Sequence, residues 1–314
     1  MAMVILRRLG MAIPTLLGVS LLIWLLLSIL PGDPLVGLLP QDATPQDRVD
    51  LEIAMGLDQP LPVRYVAWMG DVLRGDFGYS PFRRRDVAEL ISTAWKNTAV
   101  LAAVSAGFGL SIGLLAGTVA GVYRGRWIDR VVTSFSIVGL SVPSFWIAIL
   151  LLIVFSAELK ILPAGGRADF SDGLFNYAKY LVMPVFAGSL ITIAITARVA
   201  RASIVETYQA EFVELLRAKG LREWQVLLHV GKNAISPVLT TAGLQVGYLL
   251  GGSVLIETIY SWPGLGQLVF NAIAARDLAV VQATTLLIAV TFVLLNLAVD
   301  ILQVTFDPRQ KRAA

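Results

Sequence analysis

Six stretches of the chain carry no charged residue: 9–32, 97–123, 131–157, 180–197, 233–256 and 278–299. Each is long enough to cross a hydrocarbon layer of roughly 30 Å as a helix, which takes about 17 to 25 apolar residues. The pattern predicts an all-α integral membrane protein with six transmembrane helices. Residues 1–32 hold the N-terminus and the first span, the other spans fall at 97–123, 131–157, 180–197, 233–256 and 278–303, and 304–314 form a tail. The first run follows Arg7 and Arg8 as a secretory signal would. It is too long for one, and no small-residue cleavage pattern precedes Pro31, so it is read as a retained helix.

An even number of spans puts both termini on one side, and the Lys and Arg balance says which. The termini with 124–130 and 198–233 carry 14 basic residues, against 4 in the short opposite loops 157–180 and 257–278. Both termini and the 198–232 loop are therefore expected in the cytoplasm. Residues 33–96 are expected outside it, where Tyr65, Val66, Met69, Val72 and Leu73 repeat at helical spacing, as do Val87, Leu90, Ile91 and Trp95 just before the second span.

The polar stretch 200–237, between the fourth and fifth spans, has a structure of its own. Phe212, Leu215 and Leu216 fall at i, i+3 and i+4, with Glu214 and Arg217 three apart, which predicts a short amphipathic helix from Glu211 to Lys219. Gly220 is placed as its C-cap. Trp224, Leu227, Leu228 and Gly231 then share a face of a second short helix that runs to Pro237. The prediction is a compact knob on the cytoplasmic side.

Inside the spans the polar residues are few. The second helix carries Gly109, Gly113, Gly117 and Gly121 and the fifth Gly243, Gly247 and Gly251, stripes that let two backbones pack closely. Thr241, Gln245 and Tyr248 make a polar face on the fifth helix that should meet a partner helix or a wet path. In the third helix Pro143 removes the hydrogen bond to Gly139 and predicts a kink, with Ser141 and Ser144 placed to bond the freed carbonyls. These six residues are the candidate translocation path.

Composition narrows the function. Only 15% of residues are charged and 56% are hydrophobic, there is no cysteine, and the formal charge of +3 follows from the basic loops rather than from a nucleic-acid surface. No charge sits in the middle of a span, and Glu257 is placed near a helix end, where it costs little. Carriers coupled to protons or ions commonly keep ionisable groups at mid-membrane, so the driving energy is expected to come from elsewhere. The chain lacks a phosphate-binding loop of its own. Its single histidine, His229, has no neighbouring metal or nucleophile pattern, and no catalytic residue or metal site is predicted.

The strings LPGDP at Leu30, GLDQPLPVRY at Gly56, RGDFG at Arg74, GLSVPSFW at Gly139, LPAGG at Leu162, RAKGL at Arg217, SWPGLG at Ser261, ARD at Ala275 and DPR at Asp307 occur in one order along nearly the whole chain. In this the sequence resembles the permease subunits of bacterial ABC importers for dipeptides and oligopeptides. The resemblance implies a type I ABC importer permease fold in the bacterial cytoplasmic (inner) membrane and a subunit that is not itself an enzyme. It also implies partners: a second permease, two cytoplasmic ATPase subunits that use ATP and Mg, and an extracytoplasmic binding protein that delivers the peptide. The polar loop resembles the family's EAA loop, whose helix docks on the ATPase. Glu214 takes the place of the motif's glutamate and Gly220 that of its glycine, while Leu215 and Leu216 replace its two alanines. Phe212, Glu214, Leu215, Leu216, Arg217, Ala218, Lys219, Gly220 and Trp224 are the expected coupling residues. Relatives of this type also carry nickel or glutathione, and an ATP-independent carrier is the reading from a different class.

Overall fold

A computed structural model of the chain describes residues 2–29, 39, 44–54 and 56–306. The expected strings at 30–34 and 307–309 lie outside these residues. In chain order the helices are α1 (Ala2–Ile29), α2 (Pro45–Ala54), α3 (Leu61–Leu73), α4 (Val87–Val122), α5 (Trp127–Ser141), α6 (Ser144–Leu151), α7 (Leu174–Tyr208), α8 (Glu211–Ala218), α9 (Glu223–Ile259), α10 (Leu265–Ala275) and α11 (Leu278–Phe306). A two-stranded antiparallel hairpin, β1 (Tyr79–Ser80) and β2 (Arg85–Asp86), precedes α4, with Tyr79 opposite Asp86.

Among the described residues, four helices are long and apolar enough to cross a membrane alone, over Gly10–Ile29, Val87–Val122, Leu174–Tyr208 and Leu278–Val299. Two bent pairs complete six crossings when each is taken as one span. One is α5 with α6 and its π-helical continuation Leu152–Glu158, bent by 97°, and the other is α9, bent by 47° near its end.

The predicted kink at Pro143 is thus a full break. Proline cannot donate to Gly139, and its ring drives the preceding residue out of the helical region. Val142 is extended at φ −89°, ψ 124°, and Pro143 becomes the N-cap of α6 at φ −61°, ψ 134°. Ser141 Oγ does bond a carbonyl, but that of Ile137 at 2.9 Å.

Other expected boundaries shift for reasons of packing. The second span starts ten residues before 97, because Val87, Ile91 and Ala94 are buried against Leu265, Leu268, Val280 and Val281 of α10 and α11. The helix expected as a separate element before it is the first turns of α4. Likewise the span expected at 180–197 runs from Leu174 to Tyr208, and the one expected at 233–256 begins at Glu223, so the second short helix of the polar loop is the start of α9.

The middle of the bundle is α4 on α7. A Cβ added at Gly109 would stand 3.0 Å from Thr192, one at Gly113 2.9 Å from the Ile193 carbonyl, and one at Gly121 2.6 Å from Ile204. The stripe is what brings the two backbones together. The fifth-helix stripe packs on α11 at Gly243, against Val299, and at Gly247, against Phe292, while Gly251 has open space. In the segment before α4, Tyr65 of α3 reaches α1, its hydroxyl 2.8 Å from Ser20 Oγ and its ring edge-on to Trp24 at 5.8 Å.

Candidate coupling surface and translocation path

α8 is a short helix held by its neighbours. Eight residues are too few to be stable alone in water, and here Val213 is fully buried against Ile204 of α7 and Val226, Val230 and Ala234 of α9. Phe212, Leu216 and Leu221 pack partly into the same cluster. The helix closes with a Schellman arrangement: Gly220 N–H donates to the Arg217 carbonyl at 2.9 Å and Leu221 N–H to the Leu216 carbonyl at 3.2 Å. Gly220 takes φ +78°, which a residue with a Cβ adopts only under strain.

This geometry divides the nine expected coupling residues. Phe212 and Leu216, expected as anchors for a partner, are half-buried and pack against the chain's own core. Glu214, Leu215, Ala218, Lys219 and Trp224 face outward, with Leu215 54% and Trp224 58% exposed. Arg217 is exposed as well, and its guanidinium grips Glu223 through Nε at 2.8 Å and Nη2 at 3.2 Å. That hydrogen-bonded carboxylate raises the Arg217 pKa above its ordinary value. The pairing is with Glu223, not with Glu214 three residues away. Sequence reading missed Val213, the one residue of α8 that is wholly buried, although it lies within the same amphipathic pattern.

A second link near this end escaped the sequence as well. Asp129, at the start of α5, is buried and paired with Arg201 of α7, whose Nη2 stands 2.8 Å from Oδ2 while Nε bonds Oδ1. The Gly125 N–H donates to the same carboxylate at 2.8 Å. Ser203 Oγ donates to the Ala234 carbonyl at 2.8 Å, tying α7 to α9. By sequence Arg201 is one more basic loop residue. Only the fold brings it to an acid 72 positions away.

The candidate path residues do not form one set. Ser144 of α6 and Tyr248 of α9 meet at a cavity of about 30 Å³, together with Ser105 of α4, Gly188 of α7 and Ser253 of α9. Thr241, half-buried, donates its hydroxyl to the Pro237 carbonyl one turn back at 2.9 Å, the back-bond that a helical threonine commonly makes. Gln245 is buried, and its side-chain oxygen has no hydrogen-bond partner among the described residues. Ser141 and Pro143 are exposed and do not line the cavity. Ser105 and Ser253 were missed, since single serines in an apolar run give no pattern. Glu257, expected to sit cheaply at a helix end, is fully buried and hydrogen-bonded to α4, α9 and α10.

The sequence profile of the binding-protein-dependent transport system inner membrane component family matches residues 109–312, and that of the N-terminal part of such membrane components matches 1–108. A peptide transport system permease of Brucella abortus is 37% identical over 310 residues, covering 98% of this chain and 99% of the relative. The glutathione transport system permease GsiC of Salmonella typhi is 38% identical over 97% of each chain. The dipeptide transport system permease DppB of Alkalihalophilus pseudofirmus is 36% identical over 97% of this chain and 98% of its own length. Among solved structures, a chain of the MetNI methionine ABC transporter in inward-facing conformations superposes with a TM-score of 0.56 at 20% identity. That match covers 69% of this chain and 96% of the other, and it establishes the fold.

Proposed function

This chain belongs to the family of binding-protein-dependent transport system inner membrane components, and from that membership we propose that it passes dipeptides and oligopeptides across the bacterial cytoplasmic membrane, powered by partner ATPases. The complex has a second permease, two cytoplasmic ATPase subunits that bind ATP and Mg, and an extracytoplasmic binding protein that delivers cargo. Both termini and α8 lie in the cytoplasm. The basic bias of the loops beside α8 supports this orientation.

The observation that carries the reading is the division of α8 into a buried face and an exposed one. Val213, with Phe212 and Leu216, welds the helix to α7 and α9. Leu215 and Trp224, with Glu214 and Lys219, remain free for a soluble partner. A push on the exposed face is then delivered to α7 and α9 together, to α4 through the glycine stripe, and to α5 through Asp129 and Arg201. To drive a two-state switch nearly to completion, the nucleotide must favour one state by about 5.5 kcal/mol.

Peptides are the favoured cargo because the relatives above are named for peptide and dipeptide transport. The GsiC match supports glutathione as a second reading, and glutathione is itself a short peptide. The test is reconstitution of the assembled complex in liposomes. We expect peptide uptake that needs ATP, and ATPase activity raised by a peptide-loaded binding protein. Uptake of equal rate without ATP sinks the proposal, and competition by glutathione but not by dipeptides moves the cargo to the second reading.

A further inference from the structure

The side chain of Glu257 is completely buried at the α10 end of α9. Its Oε1 accepts hydrogen bonds from Thr98 Oγ1 of α4 at 2.8 Å and from Ser253 Oγ of α9 at 3.0 Å. Its Oε2 accepts the backbone N–H groups of Gly266 at 2.7 Å and Gln267 at 3.2 Å, in the first turn of α10. Thr98 completes the corner by accepting the Leu265 N–H at 2.8 Å. Two side chains thus take three N–H groups that a helix start leaves without partners.

One carboxylate thus joins three helices, and the local sequence is shaped to it. A Cβ at Gly264 would lie 2.5 Å from both Glu257 Cδ and Thr98 Oγ1, and one at Gly266 would lie 2.9 Å from Glu257 Oε2. The turn that leads into α10 is pinned as well. Trp262 Nε1 donates to the Asn97 carbonyl at 3.0 Å, and Asn97 Nδ2 donates to the Pro263 carbonyl at 2.7 Å. Among the described residues no Lys or Arg pairs with Glu257.

A buried carboxylate with no cation is costly unless hydrogen bonds replace its water. Here four donors converge on two oxygens, which suits a group that only accepts. Such a site is cooperative. Removing the acceptor strands buried donors on α4 and α10 at once.

We propose that Glu257 is a positioning residue that latches α10 to α4 and α9, so that the helix at this end of the bundle follows the motion set at α8. The transport consequence rests on the proposed function, while the latch itself stands on the geometry. Without the latch, α10 moves independently, and ATP hydrolysis continues without moving cargo.

The test uses the full complex and nitroxide labels on cysteines introduced at Thr93 of α4 and Asn271 of α10, in a chain that has no cysteine of its own. Both positions are exposed and flank the pocket between the hairpin and α10. The variants are Glu257→Leu, Glu257→Gln, Thr98→Val and Thr98→Ser. A single narrow distance distribution is expected in the unaltered chain and in Thr98→Ser, which keeps the hydroxyl. Broad distributions are expected in Glu257→Leu and Thr98→Val, with Glu257→Gln between them because it keeps one acceptor oxygen. ATP-dependent uptake should fall at least tenfold in Glu257→Leu while ATPase activity persists.

If Glu257→Leu fails to assemble, the Thr98 pair decides. A Thr98→Val distribution as narrow as that of Thr98→Ser, or uptake by Thr98→Val within twofold of the unaltered chain, overturns the latch. Broadened distances in a complex that takes up no peptide even when unaltered leave the latch standing and remove the peptide reading instead.

Discussion

The two ends of α9 are fixed by different physics. At the α8 end, Val226, Val230 and Ala234 are held by apolar contact with Val213 and Ile204. At the α10 end, Ile256 and Tyr260 also pack in a core, but the position of the neighbouring helix is set by hydrogen bonds to one carboxylate. Apolar packing loses stability in proportion to the volume removed. A buried polar cluster does not degrade in that way, because each missing partner strands another. The α8 end should therefore give graded responses to substitution and the α10 end abrupt ones.

The sharpest way to break the comparison is Gly266→Ala. The added Cβ would lie 2.5 Å from Val254 Cα, a backbone atom that cannot step aside, as well as close to Glu257. Loss of the assembled complex, read by size-exclusion yield in detergent, is expected from this one methyl group. A normal yield would show that the corner yields as easily as the other end.

Next in size is Val213→Ala, which removes two methyl groups from a filled site. It should cost about 2 kcal/mol in thermal or denaturant unfolding of the complex and weaken coupling without abolishing it. Abrupt loss of all activity would mean that the α8 end is as cooperative as the other.

Asp129→Asn tests the ion pair beside that end. Removing one partner of a fully buried pair costs about 3–5 kcal/mol, and the effect here should be smaller because Arg201 keeps 32% of its side-chain surface exposed. Partial recovery is expected when the charges are exchanged, as Asp129→Arg with Arg201→Asp. No recovery would assign the loss to geometry rather than to charge.

The smallest effects belong to the exposed face of the knob. Leu215→Ser should leave thermal unfolding unchanged and lower the binding of the ATPase subunits, measured by co-purification. Arg217→Gln removes a solvent-exposed pair and should leave stability unchanged within error. A large drop in unfolding temperature from either would place these residues in the core and not at a docking surface.

How far the sequence reached differs between these regions. The knob was legible as an amphipathic pattern ending in glycine, and Gly220 carries the positive φ that such an end requires. The pattern did not say that Val213, not Leu215, faces inward. Neighbouring apolar residues on a two-turn helix fit either choice, and burial is decided by where α7 and α9 stand. The glycine stripe on α4 was legible as a close contact because its four-residue spacing repeats three times. The cavity serines and the Glu257 corner were not, because single polar residues in apolar runs carry no period.

By itself the sequence determined that this is a membrane protein of six apolar stretches, with a structured polar loop, close-packing stripes and the strings that mark its family. Those properties are local or periodic, and local chemistry fixes them: the length of an apolar run, the absent N–H of proline, the missing Cβ of glycine. Tertiary structure alone decided the 97° break of the third span, the packing of Phe212 and Leu216 against the chain's own core, and the meeting of Thr98 with Glu257 across 159 residues. A break's angle depends on what packs against both halves. A hydrogen bond between distant residues depends on every helix in between.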